Sequence, residues 1–72
     1  MNLNERIAKI KSFKNLEEGW DSYNSETIRP EAIEMALKLN LSFDESYFVS
    51  PLSDGGIMFE SDDLTVSIEI GG

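Results

Sequence analysis

The chain has 72 residues, neither cysteine nor histidine, and a formal net charge of -8. That length makes a single domain, residues 1–72, near the size at which one core gives only a few kcal/mol of net stability, so helix and sheet packing supplemented by self-association must hold it. The composition excludes a disulfide framework and a His/Cys zinc site, removes the commonest general base and the thiolate nucleophile, and sets a repulsive field against nucleic acid phosphates.

Leu3, Ile7, Ile10 and Phe13 recur at helical spacing, which predicts a short amphipathic first helix with Arg6, Lys9, Lys11 and Lys14 on its solvated faces. Asn2 followed by Glu5 reads as a capping box in which Asn replaces the usual Ser or Thr. Glu5 and Arg6 stand where a signal peptide would need apolar residues, and no apolar run approaches membrane-spanning length. A cytoplasmic location without a membrane partner is therefore expected, and the sequon Asn40-Leu41-Ser42 has no consequence there.

Residues 15–28 show no sustained period and contain Gly19, Asp21, Asn24 and Ser25, so they read as a long connection punctuated by Leu16, Trp20 and Tyr23. Trp20, the only tryptophan, is either the lid of the core or a binding anchor. A second helix starts at Pro30, with Glu31 complementing the helix dipole and Ile28 placed to staple onto Ile33. Ile33, Ala36, Leu37 and Leu41 form its expected inward stripe, with Asn40 at the edge and Glu31, Glu34 and Lys38 facing water. Residues 42–46 break the period.

Residues 47–52 read as a first strand, in which Pro51 argues for an edge position. Its inward pair is either Val49 with Pro51 or Phe48 with Leu52. Ser53-Asp54-Gly55-Gly56 supplies the positive backbone dihedrals of a tight turn, and residues 57–61 follow as a second strand. A two-residue Asp62-Asp63 turn leads to a third strand over residues 64–70. That turn would set Phe59 opposite Val66 and Ile57 opposite Ile68 on one face, and Met58 opposite Ser67 and Glu60 opposite Thr65 on the other. The expected fold is α+β, two helices packed on one face of a three-stranded antiparallel β-meander (ααβββ).

The final strand alternates Leu64, Val66, Ile68 and Ile70 with Thr65, Ser67 and Glu69, and no proline or lysine blocks its edge. Leu64, Val66, Ile68 and Ile70 are thus the candidate self-association edge, and a homodimer is expected, with Val66→Pro as the substitution that removes an edge hydrogen bond. The charge is uneven. Up to Leu16 four basic residues stand against Glu5, giving +3, and the remainder carries -11, suited to steering a basic partner.

No motif carries catalysis. There is no Gly-x-Ser-x-Gly elbow, Asp54-Gly55-Gly56 lacks the helix and lysine of a phosphate loop, and the acids fit no EF-hand spacing. No enzyme activity, metal or cofactor is expected. The candidate partner-binding residues are Trp20, Asp21, Tyr23, Asp54, Glu60, Asp62, Asp63 and Glu69.

Gly19-Trp20-Asp21, Pro30-Glu31-Ala32-Ile33, Pro51, Asp54-Gly55-Gly56-Ile57, Glu60 and Ile68-Glu69-Ile70 together resemble a recurrent set of short bacterial and phage-encoded proteins. These share a G-W-D turn, a P-x-A-I helix start and a D-G-G hairpin ending in an acidic residue. Ser61 stands where that pattern carries tryptophan, and Arg29 where a capping Ser or Asp is more usual. The resemblance runs from about Leu16 onward and implies a mobile-element or defence-related setting; it transfers no catalytic residue. Two functions follow as expectations. One is an inhibitor, in the manner of anti-CRISPR, anti-defence or antitoxin proteins, that occupies the basic surface of a nucleic-acid enzyme. The other is a self-associating structural or adaptor module.

Overall fold

The computed structural model describes residues 1–21 and 25–71. Tyr23 lies outside the described residues. The chain forms α1 (Leu3–Ser12), a 3-10 turn (Phe13–Asn15), α2 (Pro30–Leu39), a second 3-10 turn (Asn40–Ser42), and strands β1 (Tyr47–Pro51), β2 (Ile57–Ser61) and β3 (Ser67–Ile70). The strands make one antiparallel sheet in the order β1-β2-β3, and the helices pack against one face of it, which is the expected ααβββ arrangement.

Asn2 caps α1 as its position foretold, its Oδ1 accepting from the Glu5 N–H at 2.8 Å. The Glu5 carboxylate reaches back to the Asn2 side-chain amide at 2.6 Å, so the box closes between side chains. Ile10 and Phe13 are buried. Arg6 corrects the sequence reading: it is 0% exposed. Three residues after Leu3 and four before Ile10, it sits in the inward frame of the helix, where partners must satisfy every N–H.

In α2 the stripe is rotated from the expected one. Ala32, Ala36 and Asn40, four apart, are the buried line, Ile33 and Leu37 flank it against the core, and Leu41 is 79% exposed. Asn40, expected at the edge, enters the core because it meets Arg6: the Arg6 Nε donates to Asn40 Oδ1, and Nη2 donates to the Asn40 carbonyl at 2.6 Å. Once the helix has tightened into the 3-10 turn to seat Asn40, the next residue, Leu41, points outward.

The first hairpin settles the open alternative in favour of Val49 and Pro51, since Val49 faces Phe59 and is fully buried. Its turn is a three-residue type. The Gly55 N–H donates to the Leu52 carbonyl, the Leu52 N–H donates to the Gly56 carbonyl, and Gly55 has a φ of +91°. Residues 26–29 lie along this turn, with the Glu26 N–H on the Ser53 carbonyl and the Arg29 N–H on the Gly55 carbonyl, both at 2.9 Å. A Cβ at Gly55 would come within 3.0 Å of the Thr27 carbonyl oxygen, so glycine is needed for both φ and closeness.

The second hairpin departs from expectation by two residues. Phe59 pairs with Ile68 and Ile57 with Ile70, while Glu60 pairs with Ser67 and Met58 with Glu69. A shift of two keeps every side chain on its expected face but shortens the strand to Ser67–Ile70 and leaves Leu64 and Val66 in the connection. The cause is the turn. Leu64 takes a φ of +63° and its N–H bonds the Ser61 carbonyl, so Asp62-Asp63 is only the front half of a longer loop.

The core lies between the helices and the inner sheet face and consists of Ile10, Phe13, Ile28, Ala32, Ala36, Val49, Ile57 and Phe59, with Trp20 and Ile70 packed at its margin. Phe43 stacks on Phe59 with centroids 4.5 Å apart.

Candidate functional site

The inner face of the sheet is spent on the core, which leaves its outer face and its edges uncovered. Alternation places Phe48 and Ser50 of β1, Met58 and Glu60 of β2, and Ser67 and Glu69 of β3 on the outer face. The cross-strand rows are Phe48–Glu60–Ser67 and Ser50–Met58–Glu69. Phe48 and Met58 are diagonal neighbours, half-buried, with Glu60 beside them and Glu69 exposed at the rim. No strand residue on this face is basic.

The two edges differ. Ser61 and Val66 form a hydrogen-bonded pair, the Ser61 N–H donating to the Val66 carbonyl at 2.9 Å, so the antiparallel alternation points the backbone groups of Ile68 and Ile70 toward β2 as well. The N–H and C=O of Ser67 and Glu69 consequently face outward. On the other side, bonds from Asp62 to Ser46 and from Leu52 to Gly56 turn the Tyr47, Val49 and Pro51 backbone to the free edge of β1. That edge is obstructed: the Tyr47 carbonyl accepts from Arg6 Nη1 at 3.0 Å, the Tyr47 N–H is bonded to the Asp44 carbonyl, and Pro51 has no N–H. Of the two edges, β3 is the open one.

This corrects the choice of Val66→Pro as an edge probe. The Val66 N–H donates to Ser61 Oγ at 3.1 Å, inside the hairpin, so proline there would damage the fold before touching any partner. The expected self-association residues also sort differently. Ile70 is half-buried against the core, Ile68 (40% exposed) and Val66 (42%) lie on the inner face outside the core cluster, and Leu64 is exposed in the loop.

Of the candidate acids, Glu60 and Glu69 share the outer face, while Asp54, Asp62 and Asp63 sit in the two hairpin connections at opposite ends of the strands. Asp54 Oδ1 accepts from the Gly56 N–H at 3.0 Å and shapes its own turn. Asp63 Oδ1 accepts from Thr65 Oγ1 at 2.7 Å, Ser61 Oγ at 2.8 Å and the Thr65 N–H at 3.1 Å. These bonds, the Thr65 hydroxyl first, hold the Asp63 carboxyl below the usual aspartate range. Asp62 is exposed, and Asp21 is half-buried in the turn after Gly19.

Trp20 is the lid of the core. Its indole Nε1–H donates to the Glu26 carbonyl at 2.9 Å, and beside it the Gly19 N–H donates to the Ser25 carbonyl at 2.8 Å with Gly19 at a φ of +77°. The G-W-D turn thus closes the long connection on itself. Glu18, Glu26, Thr27 and Arg29 line an open groove of about 320 Å³ over this closure.

Sequence reasoning missed the buried Arg6. Besides its bonds to Asn40 and Tyr47, Nη1 donates to the Asp44 carbonyl at 2.6 Å and Nη2 to the Phe43 carbonyl at 2.5 Å. Its guanidinium lies 5.7 Å from the centroid of the Phe59 ring. Burial pushes its pKa down, and Asp44 and Glu45 partly offset that. The Asp44 carboxyl is itself held low, chiefly by the Ser46 hydroxyl and N–H. The available signal was a pair of polar residues, Arg6 and Asn40, each in the inward frame of its helix.

Among the described residues no group of three or more His, Cys, Asp or Glu is placed to hold a metal ion, and no helix is long and apolar enough to cross a membrane. No protein-family model, curated protein or solved structure matches the chain.

Proposed function

We propose that this is a small acidic, non-enzymatic binding protein that inhibits or neutralises a partner by occupying its basic, nucleic-acid-binding surface. One observation carries the reading: the sheet face left open by the helices combines the Phe48–Met58 apolar pair with Glu60 and Glu69 and has no basic residue. Carboxylates there stand in for phosphates against lysine and arginine, and Phe48 and Met58 supply the apolar contact that the sequence suggested for Trp20. The resemblance to short phage-encoded and bacterial proteins gives the setting, an anti-CRISPR, anti-defence or antitoxin role in the cytoplasm. The test is affinity capture from host lysate with the natural chain and with a Glu60→Lys, Glu69→Lys variant side by side. Basic nucleic-acid enzymes should be retained at low salt, released as salt rises and lost in the variant. Equal capture by both forms, or no basic partner, overturns the reading.

A second reading, a self-associating module, is favoured by the unequal edges, since only β3 offers outward backbone groups in sequence. The two readings are compatible, because a dimer can also be an inhibitor.

A further inference from the structure

Given self-association through β3, we infer that two copies pair β3 to β3 about a two-fold axis passing at Ile68, making one continuous sheet whose helices all lie on the same side. The occupant of the edge is a second copy because the strand is complementary to itself when centred on Ile68, the register that uses both of its outward-facing residues. The outward backbone groups belong to Ser67 and Glu69, so pairing must use these residues. Setting Glu69 opposite its own copy would bring two carboxylates face to face, which is destabilising on a sheet. Centring on Ser67 would require the Thr65 N–H, which already donates to Asp63. Centring on Ile68 sets Ser67 of each copy opposite Glu69 of the other, and both pairs exchange their backbone hydrogen bonds without apposing like charges.

The apolar side fits the same register. Ile68 meets Ile68 of the second copy, and Val66 meets Ile70, on the inner face where Val66 and Ile68 are otherwise 42% and 40% exposed. The outer faces join, so Glu60 and Glu69 of both copies form one acidic surface. Growth stops at two copies because the far edge, β1, is obstructed by Arg6 and Pro51.

The absence of cysteine makes the register directly testable by disulfide trapping. Facing residues in a non-hydrogen-bonded antiparallel pair have Cα atoms about 4.5 Å apart, within disulfide range. Oxidation of concentrated Ile68→Cys should therefore convert most of it to a covalent dimer. Val66→Cys, displaced from its own copy along the strand, should stay uncross-linked alone and cross-link when mixed with Ile70→Cys. Sedimentation of the natural chain gives the second arm: a dimer that Ser67→Pro converts to a folded monomer by circular dichroism. If the natural chain sediments as a dimer but Val66→Cys traps as well as Ile68→Cys, the register is wrong while self-association stands. A monomer at every concentration without Ile68→Cys trapping overturns both.

Discussion

Arg6 ties together parts of the chain distant in sequence: its five hydrogen bonds run to Asn40, Phe43, Asp44 and Tyr47, where α2 gives way to β1. A lysine has no planar fork to satisfy carbonyls on several sides, and each buried acceptor left unpaired costs about 1–3 kcal/mol. Arg6→Lys should therefore lose at least about 2 kcal/mol, roughly 10 °C of Tm at this size, readable by thermal melting. A melt unchanged from the natural chain would show that the carbonyls find other partners. Asp63 makes a pH-dependent contribution of defined sign. Its folded pKa is depressed, so the stabilisation is present above the ordinary aspartate value of about 3.9 and is lost as pH falls through the lowered value. The Tm gap between the natural chain and Asp63→Ala should accordingly be widest above about pH 5 and close on acidification below about pH 4. A gap constant across that range would mean the loop does not depend on the ionised carboxylate.

At the scale of elements, the rotated face of α2 sets two neighbouring residues in opposite roles. Asn40→Ala removes an acceptor from a buried charge and should cost about 1.5–3 kcal/mol, whereas Leu41→Ser should change stability by no more than about 0.5 kcal/mol. Chemical denaturation of the two variants checks the contrast, and a larger loss at Leu41 would restore the stripe that simple periodicity suggests. This pair shows where the sequence was legible. Apolar spacing located both helices, Asn2 and Pro30 located their starts, and alternation located three strands and the faces of β2 and β3, while the inward pair of β1 stayed open until Val49 was seen against Phe59. Periodicity ranks residues by hydropathy, so it sent Leu41 inward and Arg6 outward; a buried polar pair is legible only when its partner, 34 positions away, is known. The second hairpin was misjudged for a related reason. Its loop length is set by Asp63 gathering Ser61 and Thr65 and by a leucine at positive φ, a residue that rarely adopts that conformation.

For the whole molecule, the helix layer covers one sheet face and α1 also guards one edge, which leaves the acidic outer face and the β3 edge of the sheet uncovered. The candidate site was partly legible: Glu60, Glu69 and the unblocked last strand were visible in sequence, but the direction of each backbone group was not. That direction follows from hydrogen-bond alternation, fixed by the Ser61–Val66 pair, and a two-residue register shift decides which positions lie in strand at all. The open edge is tested most directly by residue-resolved amide hydrogen exchange as a function of protein concentration. In dilute solution the Ile68 and Ile70 amides should be protected by β2 while those of Ser67 and Glu69 exchange freely, and on concentrating the protein Ser67 and Glu69 should become protected too. Protection equal at all four residues and indifferent to concentration would contradict the account.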